Sequence, residues 1–228
     1  MRSRVLKLLV LGLISAGACH ESLANSCKLS SAHDRYQNAD AVFVGTAVST
    51  TDSSERVRFH IDETFWGTTG DSIIVKHYDP VISDSFAFRV GQKYLVVAYK
   101  ENGELTVGAC NEGAAVEYAT ADLRVLRAQL QGKPLPYVYG VVTKKDGEPL
   151  SDARVTLKKS DISDDVHADA NHSRLIAETR TGKDGYFEFT SVAPGEYWVV
   201  VTPVRGGTPI KDSFGTGFPG VRLIMHEW

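Results

Sequence analysis

No internal apolar run in this 228-residue chain is long enough to span a bilayer, which takes about 20 residues as a helix. Charge of one sign is also lacking. There are 25 Lys and Arg against 28 Asp and Glu, a net charge of −3, so nothing favours bulk attraction to nucleic acid or to anionic lipid. The signatures of common chemistries are missing as well. The chain has no Gly-x-Ser-x-Gly elbow, phosphate loop, dinucleotide fingerprint or EF-hand spacing. Its serines and histidines are scattered without a nucleophile–base pattern. No catalytic residue, resident metal or cofactor is assigned on these grounds, and the chain reads as a non-enzyme. Cysteine is scarce, with only Cys19, Cys27 and Cys110.

What is present begins with an export signal. Arg2, Arg4 and Lys7 form a positive start, and Leu8 to Ala18 is apolar and ends in small residues. Residues 1–24 are therefore assigned as signal peptide, with cleavage falling between positions 18 and 26. Ala16-Gly17-Ala18 and Ser22-Leu23-Ala24 both fit the small-x-small rule. Ala24-Asn25-Ser26 is a third fit, and cleavage there would leave Cys27 first. Ala16-Gly17-Ala18-Cys19 also resembles a bacterial lipoprotein box, which makes Cys19 a candidate for lipidation and a lipid anchor. The expected location is periplasmic, cell-surface or extracellular. Once Cys19 is discarded or lipidated, Cys27 and Cys110 remain as a pair. They form either a disulfide, sensible in an oxidising compartment, or two unrelated buried thiols.

Hydrophobic content of 43% and charged content of 23% are those of a globular protein, and the length suits one large domain or two of ordinary size. From Ala41 the pattern is β. Ala41 to Val48 reads as a strand, with Gly45 marking a bulge or bend. Arg56 to Phe65 alternates, placing Val57, Phe59 and Ile61 inward and Arg58, His60 and Asp62 outward. Further strands follow at Ser72 to Tyr78, within Phe88 to Tyr99, and at Leu105 to Val107, with Asn102-Gly103 as a hairpin turn. Short strands with regular turn signals predict a small barrel. Thr120 then caps a predicted helix in which Leu123, Leu126 and Leu130 recur, and Gly132 and Pro134 stop it. The domain boundary is drawn at Gly132 to Pro136, giving domains 25–132 and 133–228.

The first domain resembles the netrin-like domain, the OB-type barrel of the tissue inhibitors of metalloproteinases. The likeness rests on Cys27, Ala39 to Thr46, Phe65-Trp66-Gly67, Val90 to Val96 and Gly108-Ala109-Cys110. In that family the inhibitors chelate protease zinc through an N-terminal Cys, which here would require cleavage directly before Cys27. The second Cys of the animal Cys-x-Cys motif is absent, since Cys27-Lys28-Leu29 stands in its place.

The second domain opens with Val138 to Thr143 and continues through Pro149-Leu150-Ser151-Asp152-Ala153-Arg154-Val155-Thr156-Leu157. It closes with Thr181-Gly182-Lys183-Asp184-Gly185-Tyr186-Phe187-Glu188-Phe189 and Ala193-Pro194-Gly195-Glu196-Tyr197. These motifs, in this order, resemble the carboxypeptidase regulatory-like domain, a transthyretin/Ig-like β-sandwich grouped with carbohydrate-binding-like folds. The resemblance implies packing or binding, not peptide hydrolysis. Alternation puts Phe187 and Phe189 on one face with Tyr186 and Glu188 opposite, and Tyr197, Val199 and Val201 on one face with Trp198 and Val200 opposite. Asp184-Gly185 is expected to form a tight hairpin turn. From Gly206 onward only Val221 to Met225 reads as a strand, pairing with the sandwich or returning to the first domain.

The fold class is therefore mainly β: an OB-like barrel with one C-terminal helix, then the sandwich. His60 and Glu63 have the His-x-x-Glu spacing of zinc carboxypeptidases, but positions i and i+3 of a strand face opposite sides. Asp161, Asp164, Asp165, His167, Asp169 and His172 read as an acidic insertion, with metal binding as the alternative. Asn171-His172-Ser173 is a glycosylation sequon. Among the aromatics Trp66, Trp198, Trp228 and Tyr186, the pair Trp198 and Tyr186 is assigned to an outward, partner-facing patch. The leading functional reading is a non-catalytic exported scaffold meeting a protein or glycan at the cell envelope. Carbohydrate binding by the sandwich and metalloprotease inhibition are the alternatives. Non-reducing peptide mapping of exported protein should find Cys27 linked to Cys110, and two free thiols would refute the pairing.

Overall fold

The computed structural model describes residues 32–51, 55–77, 87–108, 113–160, 173–203, 208–216 and 220–226. The signal segment, Cys19, Cys27, Cys110, Trp228 and the insertion 161–172 lie outside them. Helix α1 (Ala32–Gln37) leads into β1 (Ala41–Thr50), β2 (Arg56–Trp66), β3 (Ser72–His77), β4 (Lys93–Glu101) and β5 (Glu104–Val107). These five close on themselves in the order β1-β2-β3-β5-β4, with β1 also antiparallel to β4 and β3 parallel to β5. This is the OB-like barrel expected. A short strand, β6 (Gly113–Ala115), adds to the free side of β4.

The alternation of β2 is realised in three dimensions. Val57 and Phe59 are buried and Ile61 packs against the same core, while Arg58 and His60 are exposed. Phe43, Phe59, Phe88 and Tyr94 fill the barrel through edge-to-face contacts, such as Phe59 with Phe88 at 5.1 Å and Phe88 with Tyr94 at 5.0 Å. That geometry sets ring edges against the negative faces of their neighbours. The β1–β2 register shifts between Val44 and Gly45, where Gly45 marks a bulge. Asn102 and Gly103 both have positive φ, 52° and 86°, as a type I′ hairpin turn between β4 and β5 requires.

Helix α2 (Thr120–Leu130) lies on the outside of the barrel. Its cap corrects the sequence reading. Ala119, not Thr120, is the N-cap, and no side chain caps the helix. Leu123 and Leu126 are buried, but Leu130 is 57% exposed, one turn beyond the packed stripe. The stop is as expected. Gly132 has φ +77°, the Gly132 N–H donates to Gln129 and the Lys133 N–H to Ala128, a Schellman closure that satisfies the last carbonyls.

Strands β7 (Val138–Thr143), β8 (Arg154–Ser160), β9 (Ser173–Arg180), β10 (Tyr186–Phe189), β11 (Gly195–Thr202), β12 (Ile210–Thr216) and β13 (Val221–His226) build two sheets. One has the order β10-β7-β13 and the other β12-β11-β8-β9. Val138, Val142, Phe187, Phe189, Leu223 and Met225 meet Val155, Leu157, Tyr197, Val199 and Val201 between them. The Asp184-Gly185 turn closes tightly as expected, with Gly185 at φ +72°, the Gly185 N–H donating to the Gly182 carbonyl and the Gly182 N–H to the Tyr186 carbonyl, but the strands on either side do not pair as a hairpin. It joins β9 to β10, which belong to different sheets, and Pro194-Gly195 likewise carries the chain from β10 back to β11. Strand β13 pairs parallel with β7. A Cβ at Gly140 would stand 2.1 Å from the Leu223 carbonyl oxygen, so glycine is what lets that strand approach.

The outer face of the β10-β7-β13 sheet is covered by α1, α2 and the outside of the barrel. Tyr139 and Tyr186 share a buried cluster with Leu123, Leu126, Tyr36 and the outward residues Val42, Leu95 and Val97 of the barrel. Asp122 of α2 sits at the centre with its side chain 1% exposed. Arg222 of β13 pairs with it at 2.9 Å, and Arg35 of α1 stands 3.7 Å away. The Tyr139 hydroxyl donates to it at 2.5 Å. Arg222 also donates to the Tyr118 carbonyl at 2.9 Å. Burial, and then the Asp122 charge, push the phenols of Tyr36 and Tyr139 well above their usual value, so both stay neutral beside the carboxylate. Removing one partner of a buried ion cluster strands the others. Arg222→Ala should therefore cost about 3–5 kcal/mol in a denaturant titration. Glu63→Ala, which breaks a half-exposed bridge to Arg127, should cost less than about 1 kcal/mol. Equal losses would contradict the role given to the cluster.

Candidate functional site

A two-sheet sandwich has two outer faces, and docking on α2 consumes one of them. The other, on β12-β11-β8-β9, is built by strict alternation. Val155 and Leu157 of β8 and Tyr197, Val199 and Val201 of β11 point into the core. Arg154, Thr156 and Lys158, and Trp198, Val200 and Thr202, must then point out. The registers arrange these in rows. Trp198 lies beside Lys158, which lies beside Leu175. Val200 lies between Thr156 and Lys211, and Thr156 lies beside Glu178. Thr202 lies beside Arg154, which lies beside Arg180.

The Trp198 end of the face combines apolar side chains with Lys158. The indole is half-buried, Val200 is 8% exposed, and Leu175 is 55% exposed. The Thr156 hydroxyl is tied down on the Val200 carbonyl at 3.2 Å. The other end is cationic. Arg154, Arg180, Thr202 and Pro203 line a depression of about 220 Å³. Arg180 is held in place, because its Nη1 donates to the Asp152 carbonyl at 2.9 Å and to the Asp152 carboxylate at 3.1 Å. Asp152 itself adopts φ +58°, and its N–H donates to Thr181. Arg154 is exposed and has no ion-pair partner among the described residues. A larger depression of about 450 Å³ lies at the barrel rim, lined by Arg56, Ile74, Lys76, Lys100 and Leu105. There Arg56 is already bound bidentately by Glu104 at 2.8 and 3.0 Å.

The structure separates the two aromatics that the sequence placed together. Tyr186 does lie outside the sandwich core, but it is 5% exposed and covered by α2. The Arg124 guanidinium lies 4.1 Å from its ring centre and pairs with Asp184 at 2.9 Å. Its hydroxyl donates to Glu188 at 2.6 Å. Burial and then this bond push the phenol well up. Tyr186 is thus an interface residue within the chain, not part of an outward patch. Trp66 is likewise structural, since its indole N–H donates to the Ala39 carbonyl at 3.2 Å while the ring packs on the helix-covered cluster. Among the described aromatics of that group, Trp198 is the one outside the buried clusters, half-buried on the outer sheet. Glu63 is engaged by Arg127 and His60 is exposed. Among the described residues no group of three or more His, Cys, Asp or Glu is placed to hold a metal. The Arg154–Arg180 pair was missed because β9 was not anticipated.

Motif order, two-sheet topology and the chain reversals at Asp184-Gly185 and Pro194-Gly195 now stand together. Residues 137–214 match the carboxypeptidase regulatory-like domain family. No curated protein matches the chain. Similar solved structures include (S)-allantoin synthase, at 17% identity and a TM-score of 0.29, covering 41% of each chain. The chain thus spans about two-fifths of that protein's length. They also include a protein of Pseudomonas aeruginosa described as a candidate carbohydrate binding protein. It is 14% identical with a TM-score of 0.27, over 42% of this chain and 91% of that one.

Within the carboxypeptidase regulatory-like region the two aromatics should respond differently to truncation. Tyr186→Ala removes a buried ring from the interface and should cost about 3 kcal/mol or more. Trp198→Ala removes a half-buried ring from an outward face and should cost less than about 1.5 kcal/mol. Thermal unfolding of both variants checks this, and a large loss with Trp198→Ala would return that residue to the core.

Proposed function

We propose that the protein is a non-catalytic, exported binding scaffold of the cell envelope, in which the barrel carries the sandwich and the outer β12-β11-β8-β9 face meets the partner. The observation that carries this reading is the allocation of the sandwich faces. One is sealed onto α2 through Asp122 and Arg222, and the other presents Trp198 beside a cationic depression. A rigid platform with an aromatic anchor suits recognition, because an indole contributes contact area at little cost in rotamer entropy. The N-terminal signal pattern supports export, and the barrel's strand order with its Phe65-Trp66-Gly67 turn supports a netrin-like type. Inhibition of a metalloprotease would need Cys27 at the mature terminus.

A second reading, carbohydrate binding, is favoured by Trp198 itself, whose flat apolar ring lies next to Lys158. N-terminal sequencing of protein recovered from the envelope fraction should give a terminus between residues 19 and 27. Recovery in the cytosol with Met1 intact would end the export reading. A glycan array and a pull-down from envelope extract, each run with wild type and Trp198→Ala, should show a partner lost on substitution. Retention of every partner by Trp198→Ala would remove this face from the proposal.

A further inference from the structure

The outer sheet face has two ends of different chemistry, and their separation is set by the strand. Trp198 and Thr202 are four residues apart on β11, which is about 13 Å at the usual rise. That is longer than one sugar ring, so a ligand touching both ends must be extended. The face between them is not a broad apolar surface. Val200 is recessed, Thr156 is polar, and Lys158, Lys211 and Glu178 flank the path. A protein hot spot wants a desolvated apolar centre, and this strip lacks one. The charge is also uneven. Arg154 and Arg180 sit together at one end, where Asp152 is already engaged with Arg180 and Glu178 lies one row nearer Trp198 on the same face. Glu196, the carboxylate at the opposite end, follows the same alternation beyond Trp198. In a chain of net charge −3, an exposed pair of guanidinium groups lining one depression is a local reversal of sign.

We propose that this face binds an acidic polysaccharide, with a uronate carboxylate held in the Arg154–Arg180 depression and a neighbouring sugar ring stacked on Trp198. Guanidinium groups match a carboxylate by paired parallel hydrogen bonds. Asp152 pre-orients Arg180 from behind, and Arg154 is the group left to close on the ligand. The inference rests on the outer sheet being the binding face.

The test uses the exported chain, with its N-terminal region, in calorimetric titrations against polygalacturonate, alginate and hyaluronate. Methyl-esterified polygalacturonate supplies the same rings without the charge, and dextran sulfate controls for general polyanion attraction. At least one uronate polymer should bind, and Arg154→Gln should weaken it about tenfold or more, the usual worth of a charged hydrogen bond. The esterified polymer should bind wild type as weakly as the acid binds Arg154→Gln, and should not distinguish wild type from that variant. Trp198→Ala should weaken both forms. Equal affinity for acid and ester, or a silent Arg154→Gln with an effective Trp198→Ala, would overturn the carboxylate pocket and leave the face a site for neutral glycans. Binding of dextran sulfate as tight as that of the uronates and indifferent to Trp198→Ala would reduce the pair to general charge attraction and overturn the proposal. Two silent substitutions would overturn the binding face itself, and no binding to any uronate polymer would overturn the acidic ligand.

Discussion

Asp122 is a carboxylate taken almost wholly out of water, and a buried charge is tolerated only where partners replace the lost hydration. Its partners come from four separate stretches: Arg35 in α1, Tyr139 in β7, Arg222 in β13, and its own helix, where it lies in the first turn. The helix N-terminus adds a favourable dipole. Because a stranded charge is costly, the cluster acts as a condition on assembly: the helix, the first strand of the sandwich and the last strand of the chain must all be in place. The surrounding apolar contacts, among them Leu123, Leu126 and Tyr186, supply the larger part of the attraction through buried area. The ionic centre contributes definition, since an apolar contact could slide and this one cannot.

That constraint decides which surface is left for recognition. A sandwich has two outer faces of similar β character, and sequence alternation alone treats them alike. Docking on α2 removes the face with Tyr139, Val141 and Tyr186. The remaining face carries Trp198 and the arginine pair. The same logic explains the contrast between two adjacent-looking aromatics. Tyr186 and Trp198 both point away from the core, yet one meets Arg124 and the helix while the other lies half-buried on the opposite sheet.

The local elements were legible because their signals are local. Alternation in β2, β10 and β11 named the core residues correctly, since a period of two leaves only one face to bury. Asn102-Gly103 and Gly132 announced their positive φ through residue type. The failures were of two kinds. Strands β6, β9 and β12 were not anticipated. β9 is an edge strand with few buried residues and β12 lies in a stretch rich in glycine and proline, so neither shows a strong hydrophobic period. The tight reversal at Asp184-Gly185 was legible but the separation of β9 from β10 was not, because a turn's chemistry specifies the reversal and not the sheet that receives the next strand.

From the residues alone follow the mainly β fold class, the barrel strands with their inward side chains, the helix stop at Gly132 and the motifs of the sandwich. Each depends on neighbours within a few positions. The tertiary structure alone decided that β13 returns to the sandwich while sending Arg222 to α2, that Asp122 is buried, that Tyr186 is sealed under α2 while Trp198 is half-buried on the other sheet, and that Arg154 and Arg180 share one depression. These depend on residues from about 15 to 100 positions apart being brought together, where packing and the cost of an unpaired charge act and no local period can report the result.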